Sequence, residues 1–405
     1  MVQTTKLYEQ DSHLKEFDAV ILVCEELAGG YRVVLDKTAF FPEGGGQSSD
    51  TGYIGELRVT DVQEEKGVIW HTALWEDECR ALKQGETVHG RIDWERRFVT
   101  MQQHSGEHIV SGLVHARFGY DNVGFHVGST EVTLDFNGML SEAQLREIER
   151  EANQKVVLNL PIKAWYPSSE ELAALPYRSK KEIDGALRIV EIPDCDRCAC
   201  CAPHVSLTGE IGMIKLTGVQ KYKSGVRVSM LCGFLALDDY NRKEESVRDI
   251  SVLLSAKQDE VAKSVSRQKD EVAALKEKQT NLYKMLCEYR AAEIEEGSDR
   301  AVCFVEKEMS QFLRHLGNLA AQRVRGYAAI FAGNDADGWQ YILTAAKQDG
   351  ETVLPSDMKL LAKRMNEALS GRGGGSPQMA QGSLPALARK AIEDFLNAQQ
   401  EASGF

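Results

Sequence analysis

The chain has 405 residues, 43% of them hydrophobic, which is enough for two or three separate cores, and it contains no apolar run of about 18 residues that could cross a membrane. Its net charge of −13 means that any nucleic-acid partner must be met by local basic patches rather than by a global positive field. The opening residues lack the basic-then-apolar order of a secretory signal, and nine cysteines are an odd number for a disulfide framework; a cytoplasmic protein whose thiols bind metal is the expectation.

From Phe17 to about Ile92, short apolar runs alternate with turn residues ("FDAVILVCEEL", "YRVVLDKTAF", "GYIGELRVTDV"), which predicts small antiparallel β structure, a barrel-like subdomain over 1–95. Inside it, "DKTAFFPEGGGQSSDTG" places Gly44, Gly45 and Gly46 before Gln47. Such a stretch either lets backbone amides approach a ligand or is simply a hairpin loop. "WERRFVTMQQHSGEHIVSGLVHARF" reads as one helix with Phe98, Met101, Ile109 and Leu113 on a buried face, despite Gly106 and Gly112. "FHVGSTEVTLDF" returns to strand alternation, and Ser141 with Gln144 fits a capping box opening a helix near 141–157. Strands are expected at 162–166, 187–192, 211–222 and 225–235, with the cysteine cluster "CACCAPHV" in the loop before the third; residues 96–237 form the second unit.

From Asp238 to Glu293 there is neither Pro nor Gly, so 238–296 reads as one long helix or a helical hairpin. Val247, Leu254, Val261, Gln268, Leu275, Leu282 and Tyr289 recur every seven residues and suggest a packing or homodimer arm, or else an exposed spacer. The last unit, 297–405, gives strand "AVCFVE", helix 309–323, strands "YAAIFAG" and "QYILTAA", helix 355–369 and the loop "GRGGGSPQMAQG". The expected fold class is therefore an α+β N-terminal part (small β-barrel plus α/β metal-site core), a long helical connector and a C-terminal α/β domain.

His104 and His108, four apart on a helix, can reach one ion, and Cys200 and His204 form a second such pair in a loop. Together they make a candidate zinc site of three imidazoles and one thiolate. Cys195, Cys198, Cys200 and Cys201 could instead close a local knuckle. His115, further along the helix, reads as a packed histidine rather than a ligand. His104, Glu107 and His108 also spell H-x-x-E-H, the inverted zincin pattern, so a zinc metallopeptidase is the rival, with Glu182 or Glu191 as its acidic ligand. Glu107 is either a general base or a solvated helix carboxylate.

The glycine stretch, the two ligand pairs, "TGEIGMIKL" (Thr208 to Leu216) and "GVRVSMLCG" (Gly225 to Gly233) resemble, in order and approximate spacing, the editing domain of alanyl-tRNA synthetases and the freestanding alanyl-tRNA editing proteins. "GRGGGSPQMAQG" (Gly371 to Gly382) is similar to the glycine-rich signature of the synthetases' C-terminal domain. One departure is that the usual C-G-G-T-H reads Cys200, Cys201, Ala202, Pro203, His204. The resemblance implies hydrolysis of serine or glycine esters of tRNA(Ala) with Zn2+; aminoacylation motifs are absent from the sequence, so no ATP use is expected. It places Thr38 at side-chain discrimination, where propensity alone would see only a β-branched strand residue. Gly44, Gly45, Gly46 and Gln47 would meet the 3′ end, and His126 would line the pocket unless it is a core histidine. Phosphate contacts are expected from Lys180, Lys181, Lys221, Lys223, Arg227, Lys359, Lys363, Arg364 and Arg372 with Gly373, Gly374 and Gly375. A tRNA-binding zinc protein without catalysis is the third reading.

Overall fold

The computed structural model describes residues 3–75, 81–128, 131–179, 186–348, 351–352 and 357–402. Two compact units divide the chain, Met1–Asp249 and Ile250–Phe405.

In the first unit, strands Glu16–Leu27, Gly30–Leu35, Val68–Leu74, Leu57–Glu65, Gly52–Ile54 and Thr87–Ile92 close, in that order, into a barrel of antiparallel pairs. Period-two patterning drives it: along Thr87–Ile92 exposed and buried residues alternate strictly. Inward side chains including Ile21, Val33, Leu35, Ile54, Val59 and Ile69 fill the interior. Register shifts at Ile21/Val23 and Val59/Asp61 are bulges of the kind that sharpen strand curvature.

Helix Trp94–Phe118 follows, and residues Met101 to Val114 are all buried. It is therefore a core element, and the expected narrow apolar face underestimates it. Its polar residues survive burial because they are paired: Gln103 exchanges two hydrogen bonds with the backbone of Cys232, at 2.8 and 2.7 Å. Gly106 and Gly112 permit close approach, since a Cβ at Gly112 would lie 2.3 Å from the Cys195 carbonyl oxygen. Beside this helix stand helix Glu142–Val157, opened by the Ser141/Gln144 capping box, and a four-stranded sheet in the order Ile214–Tyr222, Gly225–Cys232, Val132–Phe136, Asn122–Val127.

A second small sheet joins Lys163–Trp165, Ile189–Ile192 and Asp196–Ala199. Cys198 is consequently on a strand, and only Cys200 and Cys201 of the cluster begin the following coil. The last strand of the first unit stops at Cys232, because Gly233 takes a left-handed φ of 52° and starts a helix, Gly233–Leu254, earlier than the sequence suggests. A break at Ser255, whose φ is 49°, separates it from helix Val261–Ala292.

In the second unit a five-stranded sheet runs Ser298–Val305, Val324–Asn334, Gly338–Ala345, Met379–Leu384, Arg372–Gly375, parallel only in its first pair. Ile330 and Ile342 face one apolar layer with Leu316 of helix Leu313–Ala321. Phe331, Tyr341 and Leu343 face the other, with Met365 of helix Met358–Ala368 and Ile392 of helix Arg389–Ala402. The glycine stretch expected as a loop is an exposed edge strand: a Cβ at Gly373 would lie 2.3 Å from the Gln381 carbonyl and 2.7 Å from the Tyr341 hydroxyl, so glycine lets the two strands meet. Among the described residues no helix is long and apolar enough to cross a membrane.

Candidate metal centre

Two ligands come from the buried helix Trp94–Phe118, where four-residue spacing sets His104 and His108 one turn apart with ring centroids 5.4 Å from each other. The other two come from the coil after strand Asp196–Ala199, which returns to the helix and brings the His204 ring within 4.8 Å of His104 and 4.7 Å of His108. The donor atoms of His104, His108, Cys200 and His204 all fall within 4.8 Å of one another. Cys200 Sγ stands 3.5 Å from His104 Nε2 and 3.4 Å from His204 Nε2. In a tetrahedral zinc site, bond lengths of about 2.3 Å to sulfur and 2.0–2.1 Å to nitrogen put the two donors ~3.5 Å apart. The quartet has the chemistry and the spacing to hold such an ion.

Each imidazole is oriented through its other nitrogen. His104 Nδ1 donates to Gln47 Oε1 at 3.0 Å, His108 Nδ1 to Asp196 Oδ2 at 2.8 Å and His204 Nδ1 to Ser105 Oγ at 3.0 Å. These bonds leave every Nε2 facing the centre, as a metal requires. Asp196 is held in turn by Arg178 Nε at 2.8 Å. Burial alone would raise the Cys200 thiol, but the surrounding imidazoles of His104, His108 and His204 hold it well below its ordinary value, which favours the thiolate. Burial takes His204 down to about 3 and keeps it neutral. Burial acts likewise on His108, yet its bonds to Asp196 and Cys200 carry it well above the usual histidine range, so an ion binding at its Nε2 displaces a proton. Replacing Asp196 by Ala should weaken zinc binding by about 10–100-fold, the usual effect of losing an orienting partner, measurable by competition with a chelator.

Two family models match: tRNA synthetases class II (A) over residues 6–96, and the threonyl and alanyl tRNA synthetase second additional domain over residues 187–267. The alanyl-tRNA editing protein AlaX-L of Pyrococcus horikoshii is 28% identical over 94% of this chain and 95% of its own length. The alanyl-tRNA editing protein Aarsd1 of Rattus norvegicus is 25% identical, covering 97% and 98% of the two chains. Along nearly its whole length, then, this chain resembles the alanyl-tRNA editing proteins. The alanine–tRNA ligase of Pyrococcus furiosus is 30% identical over 96% of this chain but only 43% of the ligase. The C-Ala domain of the Aquifex aeolicus alanyl-tRNA synthetase aligns with 27% of this chain and 94% of its own at 19% identity and a TM-score of 0.22, too distant to assign anything to the second unit.

The glycine stretch is a tight turn, with Gly45 and Gly46 at φ values of 64° and 84° and Gly44 and Gln47 exchanging two backbone bonds of 3.0 Å. The Gly44 amide donates within the turn. Gly46 presses against strand Asn122–Val127, where a Cβ would lie 2.4 Å from the Phe125 carbonyl oxygen. Phe125 itself contacts the His104 ring at 4.8 Å, a neighbour that strand alternation alone did not single out. His126 is exposed and so is no core histidine; the pleat turns it away from Phe125.

Thr38 is fully buried, on a two-residue strand paired with Thr5–Lys6. His71 Nδ1 donates to the Val33 carbonyl at 3.2 Å, so its Nε2 accepts from the Thr38 hydroxyl at 2.9 Å, while that hydroxyl accepts from the Phe40 amide at 3.1 Å. Burial lowers His71 to about 4, which keeps this acceptor available. Glu107 is not the solvated carboxylate that its helix position allowed: it is completely buried, and its Oε1 accepts from Ser111 Oγ and Asn122 Nδ2, both at 2.6 Å. His115 is exposed and donates to Asp121 at 2.9 Å, away from the centre and not packed.

Of the peptidase's acidic ligands, Glu191 pairs with Arg197, and Glu182 lies outside the described residues, as do Lys180 and Lys181. Arg227 is a poor phosphate ligand, because Asp135 holds its guanidinium through two bonds of 2.6 and 2.7 Å. Lys359, Lys363, Arg364, Arg372, Gly373, Gly374 and Gly375 are all exposed. Asn366 donates to the Gly373 carbonyl at 3.4 Å and so links the basic helix to the glycine strand.

Proposed function

We propose that this chain hydrolyses the ester bond of tRNA(Ala) mischarged with serine or glycine, acting in the cytoplasm on a free tRNA. The observation that carries this reading is the 3.0 Å bond between Gln47 and His104, which joins the glycine turn and the ligand quartet, two separate motifs of the editing family, in one centre. His104, His108, Cys200 and His204 would hold Zn2+, which as a Lewis acid stabilises negative charge developing nearby. An ester is already an activated acyl group, so a positioned water completes the chemistry without a protein nucleophile. Glu107, whose Oε2 lies 4.0 Å from His108 Nε2, is the proposed acid–base group, and Thr38 the proposed discriminator of the amino-acid side chain. Lys359, Lys363, Arg364 and Arg372, with the Gly373–Gly375 backbone, are the proposed phosphate contacts in the second unit. A homodimer would form through the 238–296 helix or the C-terminal domain; the helical route is supported by the heptad row, in which Leu275, Leu282 and Tyr289 are 58%, 56% and 70% exposed.

A second reading is favoured by one feature: four protein ligands close a tetrahedral ion, as in structural zinc sites, so the protein could bind tRNA without reacting. A deacylation assay separates them. Serine should be released from seryl-tRNA(Ala), alanyl-tRNA(Ala) should persist, and chelation should stop the release while peptides remain uncut. Binding of tRNA with no hydrolysis at any zinc concentration establishes the non-catalytic reading. Peptide cleavage lost in Glu107→Gln, without deacylation, establishes the peptidase.

A further inference from the structure

Gln47 is only 2% exposed, and its Nε2 has no hydrogen-bond partner among the described residues. Its Oε1 is committed to His104 Nδ1 at 3.0 Å. The amide cannot be reversed without cost to the centre: His104 faces Cys200 Sγ through Nε2 at 3.5 Å, so Nδ1 carries the proton and needs an oxygen opposite it. Nor can the side chain swing out freely, because the turn from Gly44 to Gln47 is closed by two backbone bonds and braced where the Val127 amide donates to the Gly46 carbonyl at 3.3 Å. An orphaned, pre-oriented amide donor next to a metal quartet is an exception to the rule that buried polar groups are paired.

We propose that Gln47 Nε2 is a catalytic oxyanion donor, bonding the ester carbonyl oxygen of the aminoacyl group; this rests on the deacylase reading. Water adds to the carbonyl carbon, and the π electrons move onto that oxygen, where Nε2 stabilises the charge. The electrons return as the carbon–oxygen bond to the ribose breaks, and the proton from water passes to the ribose oxygen, giving free amino acid and an intact tRNA end. The quartet already supplies the four ligands of a tetrahedral ion, so the ion would act on the developing charge from nearby, and direct contact with the carbonyl oxygen is left to a protein donor.

Gln47→Glu keeps an oxygen for His104 but removes the donor, and Gln47→Ala removes both. At saturating zinc, with a seryl-ester RNA minihelix as substrate, both should lose about 10²–10³-fold in kcat with KM little changed. Zinc content, read by metal analysis, should be full in Gln47→Glu, while chelator competition shows weaker binding in Gln47→Ala. A variant of either kind that keeps its zinc and the parent kcat overturns the proposal and leaves Gln47 as an orienting group for His104. A parent protein that holds zinc but releases no serine instead defeats the deacylase reading itself.

Discussion

Cys200→Ala and His104→Ala should each abolish stoichiometric zinc binding and reduce serine release by about 10³-fold, the scale expected when several kcal/mol of charge stabilisation are lost. Cys195→Ala, Cys198→Ala and Cys201→Ala should keep the metal. The contrast follows from what each sulfur faces. Cys200 meets three imidazoles that favour its thiolate, whereas burial raises Cys195 to about 12, so that sulfur remains protonated, and Cys201 is exposed and is not among the clustered donors. Cys195 also turns its thiol to the Ile109 carbonyl at 3.7 Å, and Cys198 is 1% exposed and raised by burial. Metal analysis of the five purified variants decides the matter: full zinc in Cys200→Ala and His104→Ala, with loss in Cys195→Ala, would place the ion in the local cysteine knuckle instead.

The ligand pairs could be read in the chain because their geometry is local. Four-residue spacing brings His104 over His108 on any helix, and Cys200 and His204 repeat that spacing within a single loop. What orients them could not be read, because it is long-range. Asp196, Ser105 and Gln47 reach the three imidazoles from three different segments, and nothing in "PDCDRC" distinguishes Asp196 from the neighbouring Asp194. Helix Trp94–Phe118 was legible to its ends, but not the depth of its burial, because Gln102, Gln103, Ser105, Glu107 and Ser111 look like a solvent face until their partners are known. The glycine strand Arg372–Gly375 was hidden for the opposite reason. Glycine has low strand propensity, and the requirement for it comes from Tyr341, on a neighbouring strand's partner. Thr38 also became clearer, since its hydroxyl is tied to His71, a residue with no motif to announce it.

Asp50→Ala should destabilise the first unit by about 3–5 kcal/mol, the cost of leaving a buried charge without its partner. Arg97 sits in the first turns of helix Trp94–Phe118 with its side chain fully buried and makes an ion pair with Asp50, in the segment leading into barrel strand Gly52–Ile54. The same guanidinium donates to the Ala39 carbonyl at 2.6 Å and the Ser12 carbonyl at 3.2 Å, so three barrel-side segments converge on one helix residue. Asp50 further accepts from the Phe41 amide at 2.6 Å, which ties the ion pair to the chain entering the glycine turn. Losing the carboxylate therefore strands a cation and loosens the junction between Gln47 and His104 together. Four of the five tryptophans (Trp70, Trp75, Trp94 and Trp165) lie in the first unit, so denaturant unfolding followed by fluorescence chiefly reports that unit. The double variant Arg97→Met with Asp50→Leu should regain most of the lost stability, because removing both charges leaves neither one desolvated and unpaired. An Asp50→Ala protein within about 1 kcal/mol of the parent would put the pair in the class of exposed salt bridges, and the barrel would then be fixed to the helix by apolar packing and by the remaining hydrogen bonds, Gln47 to His104 among them.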